Sequence, residues 1–261
     1  MKAGENAVKF IRVIPLLLLL VLPVWTASLA EPYRLQEDLT EEIHIPYDEN
    51  NPEGPSYRYR YSYPQVDPLQ PGADQINSFY AAIVDDARDF GVPILADYFR
   101  TNGAIPAETE ITYEITCNDG DYLSLLLHTR EVVNGEATDF YTGHTFSRSL
   151  GKAGATLTLP QLLQILESAE NDVWLQERQT ARADALVRSM VWDQIEENED
   201  AVPYFEDFSR EAFDGAFYPE EDFFLNAQGD PVFFLQPGVA ASESAGLLTF
   251  PLSLEIIWDE M

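Results

Sequence analysis

Tyr57, Tyr59, Tyr61 and Tyr63 alternate with Arg58, Arg60 and Ser62. Successive side chains of a β-strand point to opposite faces, so this segment has one aromatic face and one polar face. Pro64 ends it, because proline cannot continue a strand ladder. A fold that contains such a strand must also supply something apolar to cover the tyrosines. Residues 71–91 meet that need. Ile76, Phe79, Tyr80, Ile83, Val84 and Ala87 recur at steps of three and four, which places them on one stripe of a helix. The other reading of the tyrosine row is a carbohydrate- or protein-binding face, since aromatic rings give rigid contact area. With a matching helix so close in sequence, packing is the expectation. Gly91 and Pro93 interrupt the helix, and "VPILADYFR" continues as a second short one.

The remaining pattern is read in the same way. Ile43 and Ile45 flank His44 in a short strand that pairs with the tyrosine strand as a hairpin across "DENNPEGP". "TEITYEITC", "YLSLLLHTREVV" and "TDFYTGHTFSRSL" are three antiparallel strands joined through "NDGD" and "NGEA". Pro160 starts a short helix, and residues 171–200 form a long one. Its expected apolar side is Trp174, Leu175, Ala181, Leu186, Met190, Val191 and Ile195. "FFLNAQGDPVFFL" is two strands around a turn, and "LLTFPLSLEII" closes the chain. The fold class expected is α+β: mainly antiparallel sheets packed with helices, in two closely associated subdomains, 31–137 and 138–261.

Residues 1–30 stand apart. Lys2, Lys9 and Arg12 precede the uncharged run Val13 to Ala30, which ends in small residues. That order is expected of a secretory signal cleaved near Ala30, and the alternative is an uncleaved membrane anchor. Membrane contact is expected only through residues 13–30, if they are retained. Either way the location is extracytoplasmic: secreted, or anchored at the cell surface.

Charge narrows the partners. Of 15 basic and 45 acidic residues, removing Lys2, Lys9, Arg12 and Glu5 leaves 12 and 44, a net charge of −32. A polyanion repels nucleic acid and anionic lipid, and it attracts cations and basic proteins. Solubility outside the cell is the plainer use of such charge. Cys117 is the only cysteine, which excludes an intramolecular disulfide and a cysteine-ligated metal.

Motifs for catalysis are sparse. Ser149 and Lys152 match the S-x-x-K spacing of serine acyltransferases. That motif needs a helical turn to bring amine and hydroxyl together, whereas "SLGKAG" is glycine-rich. His44, His128 and His144 lie in or near strand patterns without metal-ligand spacing, and His144 stands among glycine and threonine. The acidic runs 48–51, 118–121 and 196–200 do not follow the spacing of a calcium loop. Ser242 and Ser244 sit in a small-residue loop between two apolar runs, where they read as a connection rather than as nucleophiles. No catalytic residue, metal ligand or cofactor is expected.

Four stretches carry a family resemblance: "YRYRYSYPQV" before "INSFYAAIV", "DYLSLLLHTREVVNGEA", "TFSRSLGKAGATLTLPQLL", and "FFLNAQGDPVFFLQPGVAASESAGLLTFPLS". In this order they resemble paired exported bacterial domains of unknown function. Those domains form the extracellular part of lysozyme-sensing anti-sigma factors and also occur beside peptidoglycan deacetylase domains. The resemblance implies a non-catalytic binding or sensing domain at the cell envelope, whose ligand is a protein, such as a basic lysozyme-like one, or a wall component. The family's Gly-Gly-Ala-His turn appears here as Asn134, Gly135, Glu136 and Ala137, so no role of that histidine carries over. The dozen residues before the apolar run are too few for a sigma-binding region, and no deacetylase metal motif is present. The alternative is an envelope hydrolase working through paired carboxylates with shifted proton affinities.

Overall fold

The computed structural model describes residues 31–103, 106–149, 151–165, 172–199 and 201–261. The expected signal or anchor, residues 1–30, lies outside them, as does Asp200 at the end of one acidic run. Among the described residues no helix is long and apolar enough to cross a membrane.

The tyrosine row is strand β2 (Ser56–Tyr63), and its four rings are buried. They pack against α1 (Ala73–Asp86) and α2 (Val92–Thr101). Tyr63 stacks on Tyr80 with ring centroids 5.1 Å apart, and Tyr57 meets Phe99 at 5.2 Å. Covering apolar side chains of this size is worth about 1.5–3 kcal/mol apiece, which makes this layer the anchor of the first core. Gly91 and Pro93 do not separate the helices. A π-helical turn, Ala87–Gly91, joins them, and Pro93 stands in the first turn of α2 directly after it.

Five strands stand in the order β1-β2-β3-β4-β5. β1 (Leu39–Pro46) is antiparallel to β2. β2 and β3 (Ala107–Asn118) are parallel, because the two helices carry the chain back across the sheet. β4 (Tyr122–Val133) and β5 (Glu136–Ser147) complete an antiparallel meander. Their two-residue turn has positive φ at both Asn134 (54°) and Gly135 (89°), the backbone for which Asn-Gly is the favoured pair.

The second half has its own core. It is built from α3 (Leu159–Leu162), α4 (Val173–Glu197), α5 (Arg210–Ala216), the sheet β6 (Phe223–Leu225), β7 (Pro231–Leu235) and β8 (Leu248–Pro251), and α6 (Leu254–Glu260). α4 starts at Asp172, whose carboxylate accepts from Leu175 N at 3.0 Å. The buried side of α4 meets the sequence expectation at Val191 and Ile195 and departs from it elsewhere. Ala183, Val187, Val191 and Ile195 face the core at steps of four, whereas Trp174 is 83% exposed. Small and β-branched residues make up the buried side, and the larger Leu186 and Met190 flank them half-buried.

The halves join at the outer face of β4 and β5, opposite α1 and α2. The Ser124 and Thr145 hydroxyls are 2.9 Å apart, and Ser124 Oγ accepts from Leu225 N at 2.9 Å. Gln236 bonds both backbone groups of Tyr141, accepting at 2.8 Å and donating at 2.7 Å. The side-chain amide thus continues the ladder beyond β5. Position 138, taken from sequence as the junction, lies inside β5, a strand paired along its length with β4. The whole is an α+β fold with one mixed and one antiparallel sheet.

Candidate functional site

The residues singled out in sequence are dispersed. Lys152 N donates to Ser149 O at 3.0 Å, so the two close a turn rather than stand on successive turns of a helix. Ser149 Oγ lies 2.7 Å from Ser147 Oγ. All three residues line an open cavity of about 550 Å³ with Asp121 and Gln161. Ser242 and Ser244 bond each other at 2.8 Å on an exposed turn. Among the described residues no histidine hydrogen-bonds to any of these serines.

His144 belongs to the core. Its Nδ1 is 3.3 Å from Tyr80 Oη, and Phe79 meets the ring edge-on at 5.1 Å. Burial pushes its pKa down to about 4, so it is neutral at ordinary pH. Cys117 is buried in the second core, and burial, reinforced by Asp119, pushes its thiol up to about 12. This thiol is inert packing.

The acidic run 118–121 serves the fold. Asp119 Oδ1 accepts from the backbone N–H groups of Asp121 and Tyr122 at 2.7 and 2.8 Å. Asn118 exchanges two hydrogen bonds with the backbone of Tyr33. Arg148 bonds Asp119 O and Glu31 O and lies over the Tyr33 ring, tying the start of the fold to this turn. Among the described residues no group of three or more His, Cys, Asp and Glu side chains is placed to hold a metal ion. Asp222 and Glu131 have raised carboxyl pKa values, through burial in each case, and Asp222 reaches about 6. They do not form a pair: Glu131 is on β4, within electrostatic reach of Tyr57, and Asp222 precedes β6 in the second half.

A more ordered arrangement spans the outer face of the large sheet. Glu42 stands opposite Arg60, Arg60 opposite Glu110, Glu110 opposite Arg130, and Arg130 opposite Asp139. Charge therefore alternates across all five strands. Arg60 reaches Glu110 at 3.7 Å and Glu108 at 3.5 Å, and Arg130 reaches Asp139 at 3.3 Å. His128 Nε2 is 2.7 Å from Asp139, and its ring stacks on Tyr141 at 4.7 Å. A shallow depression of about 330 Å³ lies over the β1 side of this row. Arg58 and Arg60 were legible in the sequence as a polar face. The row itself needed the register, above all the parallel joint between β2 and β3.

The ladder largely neutralises itself, so the excess negative charge lies elsewhere. Beyond residue 30 the chain has eleven arginines and one lysine. Eight of those arginines, at 34, 58, 60, 88, 100, 130, 188 and 210, form ion pairs with carboxylates of the same chain. Arg148 and Arg182 bond backbone carbonyls. The cations are thus held against the protein, while exposed carboxylates stand on α1, the end of α4 and the segment after it: Asp74, Asp85, Asp193, Glu197, Glu206 and Asp207.

No protein-family model matches the chain, and no curated protein sequence matches it. Solved structures do. A DUF3298-family protein from Bacteroides fragilis superposes with a TM-score of 0.54 at 10% identity, over 87% of this chain and 93% of its own. Another, from Pseudomonas aeruginosa, gives a TM-score of 0.49 at 12% identity, over 88% of this chain and 94% of its own. The first likeness shows that the fold is shared with a protein of that family of unknown function.

Proposed function

We propose that this chain is an extracytoplasmic binding or sensing domain of the bacterial envelope that recognises a basic protein, such as a lysozyme-like one, with a wall component as the other ligand class. One observation carries the reading: nearly every arginine is engaged within the molecule, while the chain beyond residue 30 keeps a net charge of −32. Such a surface steers cationic partners and repels anionic ones. The order of charges and apolar residues in 1–30 supports export, and the sequence resemblance to lysozyme-sensing domains supports the choice of partner class. The fold likeness adds that the architecture is found in a family of unknown function.

The test is binding of hen lysozyme, as a basic globular probe, to the chain from residue 31, measured from about 0.05 to about 0.5 M salt. Affinity falling at least about tenfold over that range is the expected result. Affinity that ignores salt, or no binding to lysozyme or other basic proteins, overturns the reading.

A further inference from the structure

Most apolar side chains on α1 and α2 face the sheet, but one row faces outward. Phe90, Ile94 and Tyr98 are 64%, 65% and 60% exposed. They recur at steps of four, so they stand one above another, with exposed Pro93 beside them at the three-residue step. The row begins in the π-helical turn Ala87–Gly91, which runs without a break into α2. The inner side of the same helices buries Val84, Val92, Ala96 and Phe99. The helical layer is therefore apolar on both sides, and only one side has the sheet against it.

The rim of this row is acidic. Asp85, Asp86, Asp89 and Asp97 are all exposed around it. Arg88 is held by Glu41 and Asp85, and Arg100 by Asp97. Asp86 and Asp89 have no ion pair among the described residues. We propose that the Phe90–Ile94–Tyr98 row is the docking face for an amphipathic helical segment of a partner, with apolar side chains at steps of three and four flanked by lysine or arginine. The rim decides the occupant. A second copy would set the same aspartates against each other, and an anionic membrane would meet the same repulsion. A basic segment matches the rim in charge and the row in apolarity. This assigns a place to the recognition of basic proteins proposed above, and it rests on that reading.

The experiment uses the chain from residue 31, which contains both cores, and a fluorescein-labelled synthetic helix of leucine and lysine as probe. The double variant Phe90→Ser/Ile94→Ser is expected to weaken peptide binding about tenfold or more at every salt concentration, with an unchanged thermal midpoint. Asp86→Asn/Asp89→Asn is expected to leave binding at high salt and flatten its salt dependence. If the serine variant fails to fold, Tyr98→Ala takes its place. Wild-type-like affinity in the row variants overturns the docking face. So does failure of the wild-type chain to bind the peptide, dimerisation abolished by the row variants, or capture by neutral or anionic vesicles. Lysozyme binding separates the two readings: if it persists with its salt dependence in the row variants, the basic-protein reading stands and this site falls.

Discussion

Gly143 of β5 lies directly beneath the carbonyl of Phe223 in β6, where a Cβ would stand only 1.7 Å from the carbonyl oxygen. The two sheets approach here with backbone against backbone, and the neighbouring contacts of Ser124, Thr145 and Gln236 all depend on that spacing.

Gly143→Ala is therefore expected to push the sheets apart and destabilise the protein by about 1–3 kcal/mol, as overpacking does. Urea unfolding followed by tryptophan fluorescence measures it, since the tryptophans at 174, 192 and 258 lie in the second half. Gly135→Ala serves as the contrast. Nothing crowds that position, and its cost is the positive φ alone, about 1–2 kcal/mol.

Stability should respond to His144. Its folded pKa of about 4 lies below the unfolded value of about 6.5. The unfolded chain therefore takes up a proton first as pH falls. Stability is fully present above about pH 6.5 and declines between there and pH 4, by roughly 3 kcal/mol in all. His144→Gln is expected to remove this component, which shows as a smaller shift in urea midpoint between neutral pH and about pH 4.5.

Asp222 acts in the opposite sense. Its pKa is raised to about 6 by burial, so the folded state holds the proton more tightly than the unfolded chain does. The ionised carboxylate destabilises above about pH 6, and stability recovers as pH falls toward 4. Relative to Asp222→Asn, the wild-type protein should gain stability on moving from pH 7 to pH 4.5, measured again by urea midpoint.

The charge ladder gives a test of register. Glu110→Lys places a cation between Arg60 and Arg130 and should cost about 0.5–1 kcal/mol, a loss that salt reduces. Adding Arg60→Glu should restore part of it. Pairs this exposed are worth little singly, so the double-mutant cycle, rather than either variant alone, is the informative measurement.

Much of the fold was legible because strand and helix periods leave different marks. The tyrosine row, the Asn134-Gly135 turn and the β6–β7 hairpin could each be read locally. Two features could not. The buried side of α4 is set by tertiary packing in the second core, which takes Ala183 and Val187 and leaves Trp174 exposed. The charge ladder depends on which strands become neighbours, and the β2–β3 pairing is fixed by a crossover rather than by a turn. The exposed row on α2 was hidden by the expectation that Gly91 and Pro93 break the helix, whereas a π-helical turn carries it through.

The large sheet places its strands in the order of synthesis. Three of its four joints span nine residues or fewer, at 47–55, 119–121 and 134–135, whereas the β2–β3 joint spans residues 64–106. Closing that long loop costs more chain entropy than closing the others, though only logarithmically more. The two flanking pieces, the β1–β2 hairpin and the β3–β5 meander, each have local partners and need not wait for one another. The meeting of Tyr57–Tyr61 with Ala107–Ile111 is thus the least local pairing of the large sheet, the kind of contact that slows folding.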